Sequence, residues 1–407
     1  MTKLGTSFNR LWIASAISNI GDGVMGAAFP LLVASITRDP VLVSGSSVIG
    51  RLPWFLFALI SGALVDRLDR RRVMIWTDVF RAAVVGVLAV LIAVDQAGLA
   101  VIYGVAFLLG SAETMFDTSA EAIVPRLVES QNLTSANGRL QATEWLAGTF
   151  AGPPAGAALF ALAAATPFLV NSVSFLVAAL VVAMIAGQFT SERTGGPASI
   201  KQDIGVGLRW LWRNRVLRTL SLMAGGINLF STGIIAIFVL YAQDILGVSE
   251  VGFGVLLTVF GVGGLAGAVA SRFTVARLGP GVTVHAVVVL GAALSAAMGA
   301  LSNVYVVGGL LLLYGFVVIH WNVVAVTLRQ QLVPDELRGR VAGVARLIAW
   351  GTQPLGALLG GLLAAGFGLR APFYLASVAW AVMTAITIPI VNNRSIRELK
   401  QVQDQAR

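Results

Sequence analysis

The 407-residue chain contains no cysteine, which excludes disulfides, thiolate nucleophiles and Cys-ligated metals. Charge is scarce as well: Asp, Glu, Lys and Arg make up 12% of the residues, against about a quarter in soluble domains. Histidine occurs twice, at His285 and His320, and no His, Asp and Glu set has the spacing of a metal site. Polar stretches are few and mostly brief, although a soluble chain of this length would join two or three domains with polar linkers. What is present is apolar. Hydrophobic residues make up 57% of the chain, and the mean hydropathy is +0.85. They fall in runs long enough to cross a bilayer core, separated by brief polar breaks. A transmembrane barrel would instead show alternating segments of about ten residues. The composition therefore predicts an all-α, polytopic membrane protein.

The net charge of +9 could suggest a nucleic-acid partner, but the placement of the charges argues otherwise. With the N-terminus assigned to the cytoplasm, all but five of the 28 Lys and Arg residues fall on the inner side. The exceptions are Arg38 and Arg370 in outer loops and Arg51, Arg81 and Arg346 within helices. Such asymmetry is the positive-inside rule, and it predicts both termini in the cytoplasm. The basic start and first apolar run lack a small-residue cleavage site and continue past Leu31, so they read as a first membrane helix.

Twelve helices are predicted at about 8–35, 44–65, 73–94, 98–120, 139–163, 167–187, 216–243, 251–271, 281–302, 304–327, 342–365 and 372–391. The polar stretch 188–215 divides them six and six. The implied domains are bundles over 1–187 and 216–391, a linker over 188–215 and a cytoplasmic tail over 392–407. At the end of the linker and the start of the next helix, Arg209, Trp210, Trp212, Arg213, Arg215 and Arg218 mix aromatics and arginines as in an interfacial helix. The halves also repeat. Gly62, Ala63 and Arg67 recur as Gly267, Ala268 and Arg272, and Leu127-Val128 recurs as Leu332-Val333. Pro154 and Gly156 recur as Pro354 and Gly356. Ser271 replaces Asp66 in the second copy, so that loop has decayed. Duplicated six-helix halves point to a transporter whose site lies near the bilayer midplane.

The break between the second and third helices reads Gly62-Ala-Leu64-Val-Asp66-Arg67-Leu-Asp69-Arg70-Arg71-Arg72. It resembles the loop G-x-L-x-D-R-x-G-R-R of the major facilitator superfamily, with Asp69 where that pattern has Gly. In the fifth helix, Gly148-x-x-x-Gly152-Pro153-Pro154-x-Gly156-Ala157 resembles the antiporter motif of facilitator exporters. Small residues one turn apart allow close helix contact, and the prolines weaken or kink the helix. Ser18-Asn19-Ile-Gly21-Asp22, Val124-Pro125-Arg126-Leu127-Val128 and the Gly207–Arg213 segment resemble the drug–proton antiporter branch that holds macrolide-efflux and enterobactin-exporter-like proteins. The fourth helix departs from many proton-coupled facilitators, having Glu113 and Asp117 where they carry a buried Arg followed by Gly. The resemblance implies the major facilitator fold: twelve helices in two pseudo-symmetric six-helix bundles.

Polar groups inside such helices are costly and each needs an account. Asn19 and Asp22 share a face of the first helix, with Asp22 about 18 Å past Arg10. Asp22 either exchanges a proton or pairs with a cationic substrate, or it hydrogen-bonds a neighbouring helix. Arg51 either pairs with Asp22 or snorkels to the outer headgroups. Glu144 is either a second proton carrier or a gate residue. His320 is either a packing residue or, with Asn228 and Asn322, part of the binding lining. Asp66, Arg67, Arg71, Asp78 and Arg81, with Glu113 and Asp117, are expected to form a cytoplasmic gate. The helix-motif residues are Gly148, Gly152, Pro153 and Gly156.

The resulting expectation is a secondary transporter, not an enzyme. It would export amphiphilic, drug- or antibiotic-like small molecules by proton-coupled alternating access in a bacterial cytoplasmic membrane. The partners implied are a small-molecule substrate, protons and the lipid bilayer; no cofactor, metal or nucleic acid is implied, and the chain is expected to be monomeric. A dedicated siderophore or metabolite exporter, an importing symporter and a polytopic membrane enzyme are the alternatives. The enzyme would need Asp66 and Asp69 to hold a divalent cation, which four flanking arginines oppose.

Overall fold

The computed structural model describes residues 4–65, 68–187, 189, 200–334 and 337–405. The first six crossings are α1 (Thr6–Ile36), α2 (Pro40–Val65), α3 (Arg70–Ala93), α4 (Leu99–Leu127), a fifth made of α5 (Leu133–Glu144) and α6 (Gly152–Leu162), and α7 (Thr166–Ala183). A short amphipathic helix, α8 (Ile200–Arg213), leads into α9 (Arg215–Leu240), α10 (Glu250–Leu278), α11 (Pro280–Ala300) and α12 (Val304–Leu332). An eleventh crossing made of α13 (Arg338–Gly351) and α14 (Gln353–Phe367) follows, then α15 (Ala371–Thr387) and a terminal helix, α16 (Asn393–Gln405). Among the described residues, eleven spans are long and apolar enough to cross a bilayer, and α15 is a shorter apolar helix. The all-α, twelve-crossing architecture expected from the sequence is the one observed.

A crossing in hydrocarbon must satisfy its backbone internally, so polar side chains concentrate at its ends as caps. Asp39 Oδ1 accepts from the Val41 N–H at 2.8 Å, and Asn214 Oδ1 accepts from the Leu217 N–H at 3.1 Å. Asn303 Oδ1 accepts from the Tyr305 and Val306 N–H groups at 3.0 and 3.2 Å. Asp69, the departure from the loop pattern, caps α3: its Oδ1 accepts from the Arg72 N–H at 3.0 Å. Its Oδ2 accepts from the Phe189 N–H at 3.1 Å, tying the start of α3 to the segment after α7.

Two crossings expected to be single helices are interrupted. Between α5 and α6, residues Trp145–Ala151 widen into a π turn, in which the Gly152 N–H reaches the Ala147 carbonyl. Pro153 and Pro154 lack N–H groups and their rings crowd the carbonyls four residues back, so the wider turn relieves that strain. The eleventh crossing breaks ahead of Pro354, where Thr352 Oγ1 donates to the Gly225 carbonyl at 2.9 Å and fixes the break against α9. A third difference concerns α10, which continues to Leu278 instead of ending near Ser271. No Gly or Pro separates Gly267 from Gly279; the turn comes at Gly279, with φ of +79°, and Pro280 then starts α11.

The chain divides into two compact units, one of residues 1–194 with 248–258, the other of 195–247 with 259–407. In the first, α3 packs on α7 and α4, α1 packs on α7 and α6, and α2 packs on α4. In the second, α9 packs on α14, α11 packs on α15 and α12, and α8 packs on α13. Glycine makes the closest approaches possible. A Cβ on Gly156 would lie 2.1 Å from the Val24 carbonyl oxygen, and one on Gly356 would lie 2.0 Å from that of Leu229. The same helix contact therefore recurs in each unit at the repeat offset that the sequence shows.

Candidate functional site

A cavity of about 260 Å³ opens inside the first unit. Its wall includes Asp22, Met25 and Phe29 from α1, Arg81 from α3, Glu113 from α4, and Asn171 and Phe175 from α7. Asp22 stands sixteen residues into α1 and Glu113 fourteen residues into α4, about 24 and 21 Å along their axes, so both lie near mid-crossing. Apolar groups and rings form most of the wall, and a few ionisable groups converge on it, as in a ligand pocket.

Arg81 is the cation of this wall. Its Nη1 lies 3.7 Å from Asp78 Oδ1, with both side chains buried. Its Cζ sits 4.8 Å from the Phe116 ring centre and 5.2 Å from that of Phe175, within cation–π range of both. Arg81 Nη2 and both Asp78 oxygens have no hydrogen-bond partner among the described residues. The guanidinium is held by rings and by charge, with donor capacity left over.

Along α4, Glu113, Asp117 and Glu121 are all exposed. Spaced four residues apart, they form one stripe with a rise of about 6 Å per step. Carboxylates exposed at this depth cannot border acyl chains, so the stripe must face water or a polar ligand. Glu144, also exposed, lies within electrostatic range of Glu113 and Glu121. Arg51 is exposed on α2 and lies within range of Glu113. Asp22 is within range of Arg81, Glu113 and Glu144, and Asp117 is within range of Glu113, Arg81 and Asp22.

Several expectations change on this geometry. Arg81 and Glu113, assigned to the cytoplasmic gate, line the cavity with Asp22; the helix depth of each places it well inside the crossing. Asp78 faces Arg81 on its own helix. Arg71 donates to the Ala183 carbonyl at the end of α7, where Arg10 likewise donates to the Met184 carbonyl. Those two arginines cap α7, matching cations to the negative end of a helix. Asp66 and Arg67 lie outside the described residues. Arg51 lies within range of Glu113, a neighbour that the sequence reading did not name.

His320 is fully buried in the second unit. Its Nε2 is 2.8 Å from Thr274 Oγ1, and its ring packs 5.2 Å from that of Phe316. It is a packing residue. Asn228 and Asn322 lie on α9 and α12 of the same unit, and the cavity of the first unit takes nothing from them; Asn19 flanks that cavity one turn from Asp22 without joining its wall. Within the helix motif, Gly152, Pro153 and Gly156 are buried, and a Cβ on Gly152 would lie 2.4 Å from Gly23 Cα. Gly148, by contrast, has open space around its Cβ position.

Two residues escaped the sequence reading. Glu121 continues the four-residue spacing of Glu113 and Asp117, a signal that was available. Asn171, 1% exposed, stands alone in an apolar helix, and nothing in spacing alone distinguishes it from a packing residue.

Comparison with known proteins agrees with this architecture. The family model described as transmembrane secretion effector matches residues 4–405. The multidrug efflux pump Tap of Mycolicibacterium fortuitum is 30% identical over 395 residues, covering 92% of this chain and 93% of its own. Macrolide efflux protein A of Streptococcus pyogenes is 24% identical over 407 residues, covering 97% of this chain and 98% of its own. Among solved structures, a bacterial homologue of the iron transporter ferroportin in an inward-facing state gives a TM-score of 0.75 at 20% identity. That match covers 96% of this chain and 100% of the other, and at such identity it speaks to the fold alone. The protein is a multi-pass membrane transporter, and it belongs to the transmembrane secretion effector family of the major facilitator superfamily.

Proposed function

We propose that this transporter exports amphiphilic, cationic small molecules from a bacterial cytoplasm in exchange for protons. The observation that carries the reading is the cavity of the first unit, where Asp22 and Glu113 face one cation, Arg81. Around it stand Asp78, Asp117, Glu121 and Glu144, with Arg51 as the further cation. Carboxylates outnumber guanidiniums at a depth where unpaired charge is costly. Either a proton or a cationic ligand relieves that cost, and the two relieve it at the same oxygens. Their binding is therefore mutually exclusive, and mutual exclusion at one site that opens to each side in turn is what couples two opposite fluxes. Phe29, Phe175, Met25 and Leu109 supply the apolar wall for the body of an amphiphile. The relatives' names, multidrug efflux pump and macrolide efflux protein, support export over import. Both termini lie in the cytoplasm, by the distribution of basic residues, and the functional unit is a monomer.

The test is accumulation of the lipophilic cation ethidium in inside-out vesicles under an imposed proton gradient, with Asp22→Asn beside the wild type. Accumulation that collapses with a protonophore and is lost in Asp22→Asn is the expected result. Accumulation that survives Asp22→Asn removes Asp22 as the coupling group. A folded wild type that moves no cation under any gradient defeats the cationic reading, and a dedicated metabolite exporter then replaces it.

A further inference from the structure

Arg81 is a cation that the first unit supplies to its own acids. It comes from α3, is 2% exposed, and shares a cavity wall with Asp22 and Glu113. The rings of Phe116 and Phe175 hold its guanidinium in place, while Nη2 has no hydrogen-bond partner among the described residues. A buried guanidinium is always charged, so its contribution to the cavity does not vary with pH.

The ionisable groups of the wall are then two carboxylates and one guanidinium, a net charge of minus one when all are ionised. Asp78, 3.7 Å from Arg81, draws on the same guanidinium charge. The groups behind the wall deepen the negative charge: one cation, Arg51 on α2, stands against four carboxylates, Asp78 on α3, Asp117 and Glu121 on α4, and Glu144 on the fifth crossing. The α7 segment contributes no titratable side chain. Without Arg81 the wall would carry minus two.

We propose that Arg81 is a specificity-determining residue that limits the preference of this cavity for more highly charged cations. It acts as a tethered competitor for Asp22 and Glu113, so its removal shifts the site towards dications. The proposal rests on the cavity being the cation site of the exporter. Coulomb attraction scales with ligand charge, so the loss of one positive charge within a few ångströms strengthens dication binding more than monocation binding.

Ethidium and propidium test this, since they share one aromatic core and carry one and two positive charges. Uptake by the full chain in inside-out vesicles is compared for wild type, Arg81→Gln and Arg81→Lys. The expected result is a rise of about tenfold in the propidium-to-ethidium ratio of kcat/KM in Arg81→Gln, expressed mainly in KM. Arg81→Lys keeps the charge and should keep the wild-type ratio. Should Arg81→Gln fail to fold, Glu113→Gln removes a charge of opposite sign, and its ratio should fall. Equal losses for both dyes in Arg81→Gln, or a Lys variant that behaves like Gln, overturn the proposal, because a structural role moves both dyes together. Failure of the wild type to take up either dye overturns the cation-export reading itself. Uptake with an unchanged ratio overturns this inference alone.

Discussion

Asp78 and Arg81 face each other one turn apart on α3, with 3.7 Å between Oδ1 and Nη1 and neither side chain open to solvent. Breaking one partner of a buried pair strands the other charge, which typically costs about 3–5 kcal/mol. Asp78→Asn should therefore lower the unfolding temperature in detergent sharply. The double variant Asp78→Asn with Arg81→Gln should recover most of the loss, since it leaves no buried charge uncompensated. If Asp78→Asn proves as stable as wild type, Arg81 is neutralised by Asp22 or Asp117 instead.

The glycines of the broken crossings separate into those that pack and those that do not. A methyl at Gly156 or Gly356 would meet a backbone carbonyl at 2.1 or 2.0 Å, whereas Gly148 and Gly366 have nothing within 4 Å. Gly156→Ala and Gly356→Ala should each destabilise by about 1–3 kcal/mol, through helices forced apart. Gly148→Ala and Gly366→Ala should leave the melting temperature close to that of the wild type. A Gly156→Ala protein that melts with the wild type would show that α1 and α6 separate at little cost.

Much of this could be read in the sequence, and the limits are physical. Apolar runs located the crossings, because hydrocarbon tolerates few alternatives. Pro153 and Pro154 signalled a weakened fifth crossing but not that it widens into a π turn, and Pro354 was read only as the repeat of Pro154. Asp22 was legible as a midplane acid from its distance past Arg10. What one chain's spacing could not show is which helices adjoin. Arg81 therefore looked like a gate residue near the loop, although it faces Asp22 and Glu113 across the cavity. His320 read more as a packing residue than as a lining one, and its contact with Thr274, 46 residues away in sequence, is of the packing kind.

Asn393 clamps a turn at which helices α10 and α11 meet. Its Nδ2 donates to the Leu278 carbonyl at 2.8 Å, and its Oδ1 accepts from the Gly281 N–H at 2.8 Å. Lys400 Nζ adds a bond to Gln331 Oε1 at 2.8 Å, holding α16 against α12. Asn393→Ala removes both turn contacts and should cost about 1–3 kcal/mol locally. Hydrogen exchange should quicken over residues 279–283 and 393–405 and stay unchanged in the first unit. Equal protection in the variant would mean that α16 is held by its apolar contacts alone.

Glu121 stands at the C-terminal end of the acidic stripe, six residues from the end of α4, or about 9 Å. Exposed and two steps removed from Glu113, it does not touch the cavity, so its effect on a cationic substrate should be attraction during approach. Such steering acts through water and is screened over about 10 Å at 0.1 M salt. Glu121→Gln should therefore raise the KM for ethidium about two- to fivefold at low ionic strength, with kcat unchanged. The difference from wild type should fade as salt approaches about 0.5 M. Asp117→Asn, one step nearer the cavity, should retain more of its effect in salt, because a less hydrated charge is screened less. Were Glu121→Gln to lower kcat at constant KM, Glu121 would belong to the proton-exchanging set, and the stripe would carry protons rather than guide substrate.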